Sequence, residues 1–159
     1  MAKNRSDIDA LVRDLTDFQK EVEVGELLGS AVSGPPPTAD KLSQIEQVLE
    51  TFRRLDSFGK DESRDLSQLI TIGRTYEQLA HLKKAYETYE TALALSERLK
   101  DTESRATLLT RMGRVLSRWD RWEEAVPLLK RSLEAYRELG DPRGEARATM
   151  NLGFVFQEQ

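Results

Sequence analysis

Residues 101–140 read DTESRATLLTRMGRVLSRWDRWEEAVPLLKRSLEAYRELG. The same framework stands one step of 40 residues earlier and begins again one step later. Asp61, Asp101 and Asp141 keep the step, and so do Gly73, Gly113 and Gly153. A fixed period of this length marks a stack of repeated units. Each such unit touches only its neighbours, and the stack forms a solenoid. Proteins of this build usually hold other molecules, so the chain is read for a binding face before an active site.

Within the unit, each aspartate precedes a helical pattern of apolar residues. A carboxylate there accepts hydrogen bonds from the free amides of the first turn. Pro142 follows Asp141 at the first helical position, where its missing N–H costs nothing. ERLKD at 97–101 and RELGD at 137–141 close consecutive units in the same way. The pattern predicts helices at about 62–79, 83–100, 102–119, 122–139 and 142–158. Connections this short force consecutive helices to run antiparallel. Gly73 is followed by Ala85 and Ala92, and Gly113 by Ala125 and Ser132, with the same two spacings. Small side chains at these places let two helices approach closely. Leu69, Ile72, Tyr76 and Tyr89 flank them in one unit, and Leu109, Met112, Leu116 and Leu129 in the next.

Upstream, SGPPPT at 33–38 breaks any helix. Before it, Ile8, Leu11, Leu15, Phe18 and Val22 make one apolar stripe on a helix from about Ser6 to Leu28. After it, Thr38 can cap a helix carrying Ile45, Val48, Leu49, Phe52 and Leu55, with Gly59 as its stop. The count is then about seven helices and no sheet.

Composition narrows the function classes. The 159 residues are 38% hydrophobic and 33% charged, with a formal net charge of -4. That charge argues against a general nucleic-acid binder. Without cysteine there are no disulfides and no thiolate metal sites, and the single His81 makes a histidine-based metal site unlikely. No apolar run approaches the roughly 20 residues of a membrane span. The start, MAKNRSDID, lacks the apolar core of a signal peptide, so a cytoplasmic protein is the default expectation. No glycine-rich phosphate loop follows a strand, and no nucleophile stands beside a base. The expectation is a protein that is not an enzyme and takes no cofactor or metal.

HLKKAYETYETALAL at 81–95 and RWEEAVPLLKRSL at 121–133 resemble the second helix of the tetratricopeptide repeat, and ARATMNLGFVF at 146–156 resembles a further first helix. The 40-residue step resembles the long variety found in kinesin light chains, cell-polarity adaptors and bacterial peptide-sensing regulators. The resemblance implies an all-α fold of antiparallel hairpins stacked into a right-handed solenoid. It divides the chain into an N-terminal helix and Pro-rich linker (1–37), a degenerate repeat helix (38–60), two repeats (61–100 and 101–140), and the first helix of a further repeat or a capping helix (141–159).

In that family the first helices line a concave groove. Carrying the inward positions over brings Arg74, Arg111, Arg114, Arg118, Arg147 and Asn151 to the groove as candidate ligand-binding residues, with Glu77 among the other lining positions. Arginine's planar fork suits carboxylates. The second helices instead carry Glu87, Glu90, Glu97, Glu123, Glu124 and Glu134. The expected partner is a protein or peptide with an acidic segment. The alternative is a solvated arginine face, paired with glutamates three or four residues away. Arg114 stands where the family's clamp for a terminal carboxylate has asparagine, so that clamp is not assigned. Trp122 reads as a packing residue, Trp119 reads equally well as packing or as a binding contact, and His81 reads as a solvated turn residue.

The last helix carries Met150, Leu152, Phe154, Val155 and Phe156. One side of it is expected to stay open, with Met150, Leu152, Phe154 and Phe156 as interface residues. Either the array continues, or another chain covers the face, most simply in a symmetric dimer. Ile8, Leu15 and Val22 recur every seven residues and offer a rival dimer seam. A self-associating assembly module is therefore the second functional expectation.

Overall fold

The structure, a computed structural model, describes residues 61–158 and the single positions 13, 43 and 46. The helices expected at 6–28 and 38–60 lie outside the described residues. Within 61–158 there are five helices and no strand: α1 (Glu62–Gln78), α2 (Leu82–Arg98), α3 (Thr102–Arg118), α4 (Trp122–Leu139) and α5 (Pro142–Glu158). Each packs on the helix before it, and α5 also reaches α3.

The aspartates begin the first helix of each pair as expected. Asp61 accepts from the Arg64 amide at 3.2 Å, Asp101 from Ser104 at 3.0 Å and Asp141 from Arg143 at 3.0 Å. The helices end by a second regular device. Ala80, Lys100, Asp120 and Gly140 all have left-handed backbone, with φ of 58°, 57°, 58° and 64°. They stand 20 residues apart, one after every helix from α1 to α4. Each reversal is closed by a main-chain bond one residue on: His81 to Tyr76, Asp101 to Ser96, Arg121 to Leu116 and Asp141 to Tyr136, at 2.9–3.0 Å. These bonds satisfy carbonyls that the helix end leaves free. Only Gly140 is a glycine, so only that turn was marked in the sequence. For this reason α1, α2 and α3 stop one, two and one residues before the predicted ends.

The core is a ladder rather than one centre. Leu66, Leu69, Ile72 and Tyr76 of α1 meet Ala85, Tyr89, Ala92 and Leu95 of α2 and Leu108, Met112 and Val115 of α3. Leu116, Ala125, Leu129, Leu152 and Val155 form the next rung from α3, α4 and α5. Each fully buried aliphatic side chain contributes about 1.5–3 kcal/mol. Gly73, Gly113 and Gly144 mark close approaches, the tightest being Gly144 against the Tyr136 ring. A Cβ on Gly73 would overlap the Tyr89 ring, and one on Gly113 would overlap the Leu129 side chain. Gly153, the third of the series, is exposed, and a Cβ there would meet nothing within 4 Å. Ser132, at the place of Ala92, is also buried and has satisfied its hydroxyl. It donates to the Ala106 carbonyl at 2.9 Å and lies 2.5 Å from the Thr110 hydroxyl.

Candidate functional site

Arg111, Arg114 and Arg118 follow one another by three and four residues, so α3 presents them on one face. That face lies against the last turn of α1, where Glu77 is buried with its side chain only 4% exposed. The Glu77 carboxylate accepts from Arg114 Nη2 at 2.5 Å, from Arg111 Nη1 at 3.5 Å and from the Tyr89 hydroxyl of α2 at 2.8 Å. Arg118 Nη1 donates to the Glu77 main-chain carbonyl at 3.1 Å. One residue of the first unit thus gathers three arginines of the second. A carboxylate this deep needs such partners, because burying it alone would cost several kcal/mol. Burial first, and the adjacent Glu77 charge second, push the Tyr89 phenol well above its ordinary pKa. Tyr89 therefore stays protonated and remains a donor to Glu77.

These pairings differ from the local alternative raised by the sequence. Glu77 is 34 and 37 residues from Arg111 and Arg114, not three or four. Sequence reading put Glu77 on the lining without linking it to the arginines. The available signal was the repeat itself: Glu77 stands where the next unit has the small, buried Ser117.

Arg147 lies on α5 and is held differently. Its Nη2 donates to the Tyr136 hydroxyl at 2.7 Å, and its guanidinium sits 5.5 Å from the Tyr136 ring centroid. Thr107 shares that phenol at 3.3 Å. The Arg147 partner is neutral, as is the carbonyl that receives Arg118. Three guanidinium groups gather at Glu77, two on its carboxylate and one on its main-chain carbonyl, so the cluster carries more cations than the one carboxylate offsets. Arg74 occupies the place on α1 that Arg114 has on α3 and is partly buried. Asn151 is half-buried, and its Nδ2 is enclosed without a hydrogen-bond partner. Glu87, Glu90, Glu97, Glu123, Glu124 and Glu134 are all exposed on α2 and α4. Those glutamates share α2 and α4 with Lys83, Lys84, Lys130 and Arg131, so the arginine cluster on α3 is a local feature and not a charge division between helices.

On α5, Met150, Phe154 and Phe156 are exposed at 68%, 52% and 57%. Leu152 is turned the other way, into the rung with Leu116, Ala125 and Leu129. It supports the helix from beneath and does not join the open apolar face. The Phe154 ring stands edge-on to Trp122, with centroids 6.2 Å apart. Trp122 packs as expected, and Trp119 lies partly buried under the Arg121 guanidinium, 4.8 Å from it. His81 sits at the turn before α2, its ring edge-on to Tyr76. Among the described residues no group of three or more His, Cys, Asp or Glu comes together as a metal site. None of the described helices is long and apolar enough to cross a membrane.

The repeat spacing, the capped first helices and the glycine crossings all fall within one stretch of chain. The tetratricopeptide repeat profile matches residues 65–138. Tetratricopeptide repeat protein 29 of Trypanosoma brucei brucei is 31% identical over 119 residues, which is 74% of this chain. The match spans only about a quarter, 24%, of that relative's length. Among solved structures, BtubC (BKLC) from P. vanneervenii superimposes with a TM-score of 0.57 at 20% identity. The superposition covers 94% of this chain and 66% of BtubC, and it speaks to the fold alone. The DHF79 filament superimposes at a TM-score of 0.47 and 17% identity, over 94% of this chain and 85% of that one.

Proposed function

We propose that this chain is a tetratricopeptide-type scaffold that holds an acidic segment of a partner protein against the first helices of its repeats. In this reading residues 61–100 and 101–140 are two long-step repeats. Residues 141–159 supply the first helix of a further repeat or a cap, residues 38–60 a degenerate repeat helix, and residues 1–37 a leading helix and linker. The hairpins stack as a right-handed solenoid, with α1, α3 and α5 on its concave side. The observation that carries the reading is the excess of guanidinium over carboxylate around Glu77. Arg118 and Arg147 are the groups best able to meet an incoming carboxylate, since both are exposed and both are held by neutral oxygens. Arg74, Arg111, Arg114 and Asn151 complete the surface. The test is a titration of the intact chain with a glutamate-rich and a lysine-rich peptide. Selective binding of the glutamate-rich peptide, lost in an Arg118→Gln/Arg147→Gln variant of unchanged helicity, supports the reading. Equal binding of both peptides overturns it.

A second reading, self-association through α5, rests on the exposure of Met150, Phe154 and Phe156. Met150 and Phe154, four residues apart, share one side of α5, and open apolar neighbours of this kind mark contact surfaces. Solution mass as a function of concentration tests it, with Met150→Asp/Phe156→Asp as the control variant.

A further inference from the structure

We infer that Glu77 is a positioning residue for the acidic-peptide face: it fixes the guanidinium groups of Arg111 and Arg114 in one arrangement before ligand arrives. This inference rests on the binding reading above and assigns a role within it. Four donors converge on this residue from two other helices, three on the carboxylate and one on the main-chain carbonyl. At 4% exposure the Glu77 side chain is sealed beneath the arginines, so a ligand cannot take its place. Its carboxylate has two oxygens, and each holds one of the arginines: Oε1 takes Arg114, while Oε2 takes Arg111. Tyr89 braces Oε2 from the opposite helix and so fixes the plane of the carboxylate. Arg111 and Arg114 each carry five N–H donors, of which the Glu77 contacts use one apiece. The Arg111 Nε is enclosed, and Arg114, whose side chain is 46% exposed, presents the more open edge to a second carboxylate.

The alternative role of Glu77 is that of a neutralising charge, and the two roles predict opposite signs. Glu77→Gln raises the positive charge of the face by one. If Glu77 only neutralises, the variant binds a glutamate-rich peptide more tightly. If Glu77 positions, the variant frees two long side chains and returns their ordering cost to the binding step. The expected result is binding weakened about tenfold, a loss on the scale that ordering two such side chains implies. Tyr89→Phe tests the same point with no change in net charge and with the ring retained. It is expected to weaken binding about threefold, a partial release of the same ordered arrangement, while leaving the salt dependence unaltered.

Affinities are compared at a temperature where circular dichroism shows both variants fully helical. The Nε–H resonances of Arg111 and Arg114 provide a readout that loss of bulk stability does not move. They should be dispersed in the parent chain and drawn toward the free-arginine position in both variants. Equal or tighter binding by Glu77→Gln overturns the positioning role and leaves the acidic-peptide reading standing. If Glu77→Gln does not fold, unchanged affinity in Tyr89→Phe is the result that overturns it. Failure of the parent chain to bind the peptide overturns the binding reading, and this inference with it.

Discussion

The Tyr89 ring lies directly on Gly73, so closely that a single added methyl at Gly73 would overlap it. The same side chain carries its hydroxyl to Glu77, one helical turn further along α1. Tyr89 thus joins the closest helix crossing of the first hairpin to the residue that gathers the arginines of the second. Packing and the candidate binding face share one side chain.

Gly73→Ala is expected to destabilise the chain by about 1–3 kcal/mol through overpacking, because a rigid ring cannot step aside. Gly153→Ala should do the reverse. Its Cβ meets no neighbour, and alanine is better than glycine in a helix by roughly 0.5–1 kcal/mol. Urea midpoints of the two variants check both signs. Destabilisation by Gly153→Ala would show that the glycine is covered in solution.

The left-handed turn residues give a second pair of opposite signs. Ala80→Gly relieves a backbone that costs a β-carbon-bearing residue roughly 1–2 kcal/mol, and part of that should be recovered as stability. Gly140→Ala, at φ 64°, should lose about 1 kcal/mol. Thermal melts of the two variants measure both effects.

Asp101→Ala removes the acceptor of the Ser104 amide at the start of α3. A loss of about 0.5–2 kcal/mol is expected. Asp101→Asn should retain most of the stability, since its side-chain oxygen still accepts. The same melts distinguish cap loss from charge loss.

Binding of a glutamate-rich peptide should weaken steeply as salt is raised, because exposed charges are screened beyond about 8 Å at physiological ionic strength. Reversing Arg111 and Arg114 to glutamate is expected to unsettle the fold as well as the binding. It would set two new carboxylates against the buried Glu77. Arg118→Gln/Arg147→Gln is the cleaner probe, with circular dichroism and titration read together.

If α5 mediates self-association, mass in solution should rise with concentration and return to the monomer in Met150→Asp/Phe156→Asp. Leu152→Asp is unsuitable for this purpose. It would bury a charge beside Leu116 and Leu129 and unfold the last rung.

The amino-acid sequence by itself determined the five described helices, their antiparallel order and the two glycine crossings. Those properties are local or periodic. An aspartate caps the turn that follows it, and apolar spacing fixes which stripe of a helix is buried. A 40-residue step repeats both. Tertiary structure alone decided that Glu77 anchors Arg111, Arg114 and Arg118, that Leu152 turns inward while Phe156 stays open, and that Gly153 is uncovered where Gly73 and Gly113 are not. The physical reason is reach. Periodicity says which face of its own helix a side chain occupies, but its partner depends on what another helix, some 34 to 41 residues away in sequence, places opposite that face.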